Sequence, residues 1–317
     1  MARWLVLVLM ALLPLSGMGQ AFPDRPIRLV VPLPPGGSPD TIARALAQGL
    51  QGAWNQPVVV ENRTGGSQNI GADAVAKSAP DGYTWLIAPD NVFSVNPYLG
   101  RQPFDPLADL APVTQVARIQ FLLVVNPSVP VHSVQELVAL AKAKPGELNF
   151  GSSGNGSPQH LGATMLQILT GIQMNHVPYK GAAPAIADLL PGRIQVWIGA
   201  ANSLLPHVKE GKLRLLASTA PQRFASLGDV PTIGETVPGY SLDPWLGLFV
   251  PAKVSPEIIS KINAEVVKLL GAADLKAKLG PQGIELVTNS PTEFAQFIRE
   301  DNAKWGKIVK EAGIRAD

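Results

Sequence analysis

The chain has 317 residues, 26 basic and 24 acidic side chains, and no cysteine. A chain of this length can form two domains with adequate hydrophobic cores, so it needs no disulfide for stability. The formal net charge of +2 excludes the strongly basic surface that nucleic-acid binding requires. The 30 glycines and 30 prolines lie mainly at the ends of predicted elements, which favours many short strands and helices joined by turns.

The first 21 residues have the pattern of a cleavable secretory signal peptide. Arg3 precedes an apolar run from Trp4 to Leu15, and small residues occupy the exit at Gly19-Gln20-Ala21. This run of about 12 apolar residues is shorter than the roughly 20 that span a bilayer, which favours a cleaved signal over a membrane anchor. We predict a mature chain that starts near Phe22, outside the cytoplasm, with no lipid anchor because no cysteine follows the signal.

Strands and helices alternate from Ile27 onwards. The sequence predicts strands at 27–31, 58–62 and 83–88, separated by helices at 40–54 and 69–79. Apolar residues recur at every fourth position of the first helix, which marks the stripe that packs on a sheet: Ile42, Leu46, Leu50 and Trp54. This alternation predicts an α/β fold of parallel strands with helices on both faces of the sheet.

A second alternation follows the irregular segment 96–113 and the apolar runs 113–116 and 121–125. It predicts helices at 134–143, 158–169 and 182–190, and strands at 148–150, 176–179, 194–199 and 213–219. The apolar segment 245–251 predicts a buried strand that returns the chain to the first unit, which helices at 256–270, 272–279 and 291–312 then cover. We therefore predict lobe 1 over residues 22–122 plus 246–317 and lobe 2 over residues 123–245.

Each predicted lobe contains a glycine-rich loop followed by Ser-Pro and a helix. An offset of 119 residues superimposes Gly37-Ser38-Pro39 on Gly156-Ser157-Pro158, together with the apolar stripe that follows. Ser38 and Ser157 are predicted to cap their helices. The loop amides would then face a common anion across a cleft: Gly36, Gly37, Ser38, Gly154, Asn155, Gly156 and Ser157. Either junction alone is also consistent with an ordinary helix start, but the matched pair favours a carboxylate site.

Other polar and aromatic residues near predicted strand ends are candidates for the same cleft: Asp90, Asn91, Phe93, His160, Tyr179, Lys180, Ala200 and Asn202. Several of these residues also have an interpretation without a ligand. Asp90-Asn91 is a common turn pair, the Lys180 side chain can lie in solvent, and His160 can pack on the core or cap its helix. We find no nucleophile elbow, no zinc-type His spacing and no phosphate-binding glycine motif. We predict no catalysis, metal or cofactor, and a secreted hydrolase is the less favoured alternative.

The chain resembles the substrate-binding proteins of tripartite tricarboxylate transporters, the TctC or Bug family, along its whole mature length. The matching motifs occur in order as FPDRPIRLVVPLPPGGSPD, VVVENRTGGSQNIGADAVAKSAPDGYTWLIA, NPYL, NFGSSGNGSPQHLGA, VPYKGAAPAIADLLPGRIQ, PHVKEGKLRLLA, DVPTIGET and WLGLFVPA. The resemblance implies a periplasmic binding protein of type II, in which two α/β lobes close like a Venus flytrap. It also implies a small carboxylate ligand that is presented to integral membrane transporter subunits, without catalysis.

The family holds its ligand carboxylate in the loops that correspond here to Leu33 to Asp40 and Gly151 to Ser157. These corresponding loops add further candidate ligand-binding residues: Leu33, Pro35, Asp40, Ser152 and Ser153. Many members of the family have an acidic residue where this chain has Gly199. An amino-acid ligand has an ammonium group that needs such a carboxylate partner, so its absence here favours a dicarboxylate or an aromatic acid as the ligand. A hinge that opens and closes favours a monomer. Delivery to a transporter and signalling to a membrane receptor both stay open.

Overall fold

The fold consists of eleven strands and twelve helices in a computed structural model that describes residues 22–311, 313 and 314. The predicted signal peptide lies outside these residues. In chain order the elements are β1 (Ile27–Val31), α1 (Ser38–Trp54), β2 (Val58–Asn62), α2 (Asn69–Ala76), β3 (Thr84–Pro89), α3 (Asn91–Ser94), α4 (Asn96–Leu99), β4 (Leu110–Ile119), β5 (Phe121–Val125), α5 (Val134–Ala143), β6 (Asn149–Ser152), α6 (Pro158–Thr170), β7 (Asn175–Pro178), α7 (Ala182–Leu189), β8 (Val196–Ala200), α8 (Ala201–Lys209), β9 (Arg214–Ser218), α9 (Ile233–Thr236), β10 (Trp245–Pro251), α10 (Pro256–Leu270), α11 (Ala273–Leu279), β11 (Ile284–Leu286) and α12 (Pro291–Glu311).

The strands form two separate sheets, one in each lobe. The first has the order β11-β4-β10-β3-β1-β2 and the second the order β7-β6-β8-β5-β9. The predicted parallel pairing is correct for β1, β2 and β3 and for β6, β7 and β8. It is wrong for two strands: β10 runs antiparallel to β3, and β5 runs antiparallel to β8. The chain enters each of these strands from the other lobe and not through a crossover helix, which is the connection that parallel neighbours need. The run β10-β3-β1-β2 thus has the same topology as β5-β8-β6-β7.

The chain passes between the sheets at two points. Gln120 alone separates β4 from β5, and the segment that ends at Pro244 leads back into β10. Phe121 pairs in the second sheet and Trp245 in the first. We propose lobe boundaries at Gln120 and Pro244, within two residues of those that the sequence predicts.

Apolar side chains fill both faces of the first sheet. Ile42, Leu46 and Leu50 of α1 are buried against it as predicted, and Trp54 packs at the edge of the same cluster. Each fully buried side chain of this size contributes about 1.5–3 kcal/mol, so the stripe fixes α1 and the loop before it. The prediction missed α3, α4, α8, α9 and β11, because four of these have only three or four residues and α8 contains Pro206.

The long helix α12 connects the two lobes. Phe294 and Ile298 in its first half pack in a cluster with β3 and β10, whereas Trp305 and Val309 in its second half pack with the core of the second sheet. The helix therefore lies across the lobe boundary, close to both crossings. Within the described residues, no helix is both long and apolar enough to cross a membrane.

Candidate functional site

A cleft of about 460 Å³ lies between the two sheets. Its walls are the loops that follow β1, β2 and β3 in one lobe and β6 and β7 in the other, and its floor is formed by residues next to the two crossings. Parallel strands bring their carboxyl ends to one edge of each sheet, so the two edges face each other across the cleft.

The cleft contains part of the predicted site. Eight predicted residues line it: Leu33, Ser38, Asp90, Asn91, Ser153, Asn155, Gly156 and Ser157. The other predicted residues lie outside its lining: Pro35, Gly36, Gly37, Asp40, Phe93, Ser152, Gly154, His160, Tyr179, Lys180, Ala200 and Asn202. Sequence reasoning missed most of the apolar lining and one entire loop: Pro39, Ser67, Gln68, Pro89, Asn96, Ile119, Phe121, Pro158, Gln159, Gly181, Ala182, Pro244, Trp245 and Leu246.

The loop before α1 is organised by Asp40 and not by Ser38. Gly37 is the N-cap residue, and Ser38 is the first helical residue with no capping bond from its side chain. The buried Asp40 carboxylate accepts the Gly36 amide at 3.0 Å, Arg44 Nε at 2.9 Å and Asn62 Nδ2 at 3.1 Å. The hydrogen bond from Arg44 lowers the Asp40 pKa more than any other contact does. Asp40 therefore holds the loop in place from behind.

The loop before α6 satisfies most of its own amides. Ser157 caps the helix as predicted, since its hydroxyl accepts the His160 amide at 3.4 Å. The Gly156 amide donates to His160 Nδ1 at 3.1 Å, and the Gly154 amide donates to the Ser152 hydroxyl at 3.1 Å. His160 also stacks on His176 with ring centres 4.0 Å apart, so its role is capping and packing.

Most of the seven amides predicted to face a ligand therefore have hydrogen-bond partners within the protein. Four of the seven donate to nearby side chains or carbonyls in the same loop or in the helix that follows it: Gly36, Gly154, Gly156 and Ser157. Gly37 and Ser38 keep amides that donate to no group in residues 22–311. The first loop thus offers more free backbone donors than the second.

A third glycine-rich loop, after β2, contributes Ser67 and Gln68 to the cleft. Both residues have left-handed backbones, with φ of 50° and 72°, and Gln68 is the N-cap of α2. Asn96 Nδ2 donates to the Ser67 carbonyl at 2.7 Å, and Asn91 Nδ2 donates to Gln68 Oε1 at 2.5 Å. Left-handed non-glycine residues cost about 1–3 kcal/mol each and persist where the surroundings hold them. The signal was present in the sequence, because GGS at 65–67 repeats GGS at 36–38.

Asp90 is the one ionisable side chain among the residues that line the cleft. Its side chain is 6% exposed, and Oδ1 accepts the Asn91 amide at 2.8 Å. Burial, with a smaller contribution from the charge of Asp301, raises the pKa of Asp90 to about 8. The rest of the lining is neutral: hydroxyl and amide groups on the walls, and apolar side chains such as Phe121 and Trp245 on the floor.

Two further acids and a lysine lie behind Asp90. Asp301 Oδ2 accepts Ser94 Oγ at 2.6 Å and Trp245 Nε1 at 2.9 Å. Lys304 Nζ donates to the Ser241 carbonyl at 2.6 Å, and burial lowers the Lys304 pKa. Asp243 lies 3.2 Å from Arg118 Nε, yet burial raises its pKa to about 6. This buried cluster occupies the region where α12 meets both crossings.

Five residues predicted to contact the ligand lie outside the cleft lining. Phe93 is buried and stacks on Phe249 with ring centres 4.1 Å apart. The Tyr179 hydroxyl donates to Asp188 at 2.9 Å, whereas Lys180 and Asn202 are exposed beyond the cleft lining. Ala200 of β8 pairs with Phe121 of β5, and Phe121, not Ala200, lines the cleft.

Gly199 has no room for an acid. The buried Trp197 indole folds over it, and a Cβ at this position would overlap the indole ring.

Two lobes of matching topology, joined by two crossings and separated by a cleft at their strand ends, define the chain as a two-lobed solute-binding protein. The model of the tripartite tricarboxylate transporter family receptor matches residues 42–314, so the chain belongs to this receptor family. BugT of Bordetella pertussis strain Tohama I is 37% identical over 300 residues, which cover 93% of this chain and 91% of BugT.

Solved structures share this fold along nearly the whole chain. R. palustris Rpa4515, solved with adipate, has a TM-score of 0.84 and 36% identity, and the match covers 93% of this chain and 100% of that one. MatC (Rpa3494) from Rhodopseudomonas palustris, solved with bound malate, has a TM-score of 0.78 and 28% identity over 91% of this chain and 100% of its own. The type II, two-lobe architecture predicted from the sequence is confirmed.

Proposed function

We propose that this protein captures a small organic carboxylate in the cleft between its lobes and delivers it to a membrane transporter of the tripartite tricarboxylate type. The observation that carries the proposal is the cleft itself, where hydroxyl, amide and backbone N–H groups from several strand-end loops surround a small volume. Such groups can solvate a carboxylate without a lysine or arginine partner. The relatives solved with adipate and malate support the same ligand class.

The proposed ligand is a dicarboxylate or an aromatic acid. Apolar side chains from both lobes and both crossings form the floor, which suits the hydrocarbon part of such an acid: Leu33, Ile119, Phe121, Trp245 and Leu246. The proposed ligand contacts in the walls are Ser38, Asn91, Ser153, Asn155 and Ser157, joined by Ser67 and Gln68 of the third loop. We propose that residues 1–21 direct secretion and that the mature chain acts in the periplasm as a monomer.

A thermal-shift screen of the mature chain tests the ligand class. We expect a rise in melting temperature with adipate, malate or benzoate and none with the corresponding amides, because only the acids place a carboxylate among the donors. A clear response to sugars or cations, with none to any carboxylate, would overturn the proposal. Uptake of the labelled acid in cells with and without this receptor tests delivery separately.

A further inference from the structure

We infer that Asp90 is a specificity-determining contact whose protonated carboxyl donates a hydrogen bond to a carboxylate oxygen of the bound acid. This inference rests on the proposed function, since it concerns the same cleft and the same ligand class. It goes further by assigning a proton donor, and with it a pH dependence and a preference against cationic ligands.

The first support is the geometry of the Asp90 side chain. Asp90 follows the last residue of β3, and its amide donates to the Trp245 carbonyl at 3.1 Å, which fixes the residue at the base of the cleft. Oδ1 accepts the Asn91 amide. Oδ2 has no hydrogen-bond partner in the described part of the chain, and Asp90, which is 6% exposed, lines the cleft. A carboxyl oxygen that lies at a ligand cleft and has no partner within the protein is available to hydrogen-bond a bound ligand.

The second support is the set of charges around Asp90. Asp301 and Lys304 face it from α12, and Asp243 faces it from the segment before β10. Arg118 of β4 and Glu285 of β11 act on Asp243 in turn. The Asp301 carboxylate accepts hydrogen bonds from Ser94 Oγ and Trp245 Nε1. Lys304 Nζ donates to the Ser241 carbonyl and not to Asp90.

These surroundings keep the Asp90 carboxyl neutral at physiological pH. Burial and the nearby acids disfavour a charge there, which is why its pKa is about 8. The facing wall of the second lobe adds no ionisable side chain to the cleft lining. A neutral carboxyl in this position is a donor, so it suits an anionic acceptor on the ligand.

A hydrogen bond from a hydroxyl to a carboxylate is about twice as strong as one between neutral groups. The ligand charge would hold the proton on Asp90 more firmly, because a second nearby carboxylate raises the pKa of the first. Binding above about pH 8 must then take up a proton from solvent, and the affinity falls by up to about tenfold per pH unit. A ligand ammonium group would instead require ionised Asp90 and would bind more tightly as the pH rises.

Calorimetric titration of the mature chain tests this inference with whichever of adipate, malate and benzoate gives the largest thermal shift. Wild type, Asp90→Asn and Asp90→Ala are compared from pH 6 to pH 10, in buffers of different ionisation enthalpy that report proton uptake. Asp243→Asn is the matched control, because Asp243 is also a partly buried acid with a raised pKa but does not line the cleft.

We expect the affinity of wild type for the acid to be constant up to about pH 8. Above that pH it should fall by up to about tenfold per pH unit, and binding should take up one proton from solvent. Asp90→Asn keeps an N–H donor, so it should bind within a few-fold of wild type at pH 7 and lose the fall at high pH. Asp243→Asn should retain the fall, with an onset at slightly lower pH because the Asp243 charge contributes to the raised pKa of Asp90. Asp90→Ala should bind about tenfold more weakly at pH 7. Equal pH profiles for wild type and Asp90→Asn, or loss of binding in Asp90→Asn alone, would overturn the inference. Failure of wild type to bind any of the three acids at any pH would overturn the proposed function itself.

Discussion

Alanine at Gly156 should weaken both the fold and the binding of the acid. Gly156 has a φ of +72°, and a Cβ there would lie 2.5 Å from Leu99 Cδ1. The left-handed backbone costs about 1–2 kcal/mol for a residue with a Cβ. Leu99 belongs to the first lobe and Gly156 to the second, so the added methyl group also contacts the facing wall of the cleft. The Leu99 methyl lies at the end of a flexible side chain and can move, which leaves the backbone as the main contribution.

Gly37→Ala is the matched control, because Gly37 has a φ of −79° and its nearest neighbour to a Cβ is 3.6 Å away. Urea unfolding should show a loss of about 1–2 kcal/mol for Gly156→Ala, and titration with the acid an affinity about tenfold lower. Gly37→Ala should stay within about 0.5 kcal/mol of wild type. Equal stability and affinity in the two variants would refute the strain and the cross-lobe contact.

The remaining predictions concern Asp90, Asn96 and Gly199. The Asp90 pKa is about 8 in the folded chain against 3.8 ordinarily, so the folded state holds an extra proton between those values. As the pH rises from about 4 to about 8, the unfolding free energy of wild type should therefore fall by up to about 1.4 kcal/mol per pH unit relative to that of Asp90→Asn, and it should level off above this range. If urea unfolding gives the two proteins the same dependence of stability on pH, this prediction is wrong. Asn96→Ala removes the donor that holds Ser67, so it should lose about 1–3 kcal/mol and bind the acid more weakly, and unchanged values in both would contradict the role given to it. Gly199→Ala should lose about 1–3 kcal/mol by thermal or urea unfolding, because its Cβ overlaps the Trp197 indole, and a stable variant would show that the indole moves freely.

The sequence was most informative where a local pattern determines a local structure. The stripe on α1, the Ser157 cap and the buried strand β10 are confirmed, because periodicity, capping and apolar runs act over a few residues. The predicted Ser38 cap is wrong, because the helix begins at Ser38 and Gly37 is its N-cap residue. The loop is held instead by Asp40, which accepts the Gly36 amide and a hydrogen bond from Asn62 of another strand.

The candidate site depended on contacts between distant parts of the chain. Asp90 was found as a polar residue at a strand end, but its raised pKa depends first on burial in the folded chain and then on Asp301, which lies more than 200 residues further along the chain. Most of the apolar floor was missed because Phe121 and Leu246 belong to buried strands and reach the cleft only where those strands begin, next to the crossings between lobes. Amide donors were overestimated, because a sequence does not show which amides are already satisfied within a loop.

The position of the acid in a crystal structure of the mature chain tests the central claim most directly. We expect the acid between the lobes, with one carboxylate oxygen about 2.5–2.7 Å from Asp90 Oδ2, the range for a hydroxyl that donates to a carboxylate. Its hydrocarbon part should lie on the floor formed by Phe121 and Trp245. An acid bound outside this cleft, or one whose carboxylates both lie beyond hydrogen-bond distance of Asp90, would contradict the account.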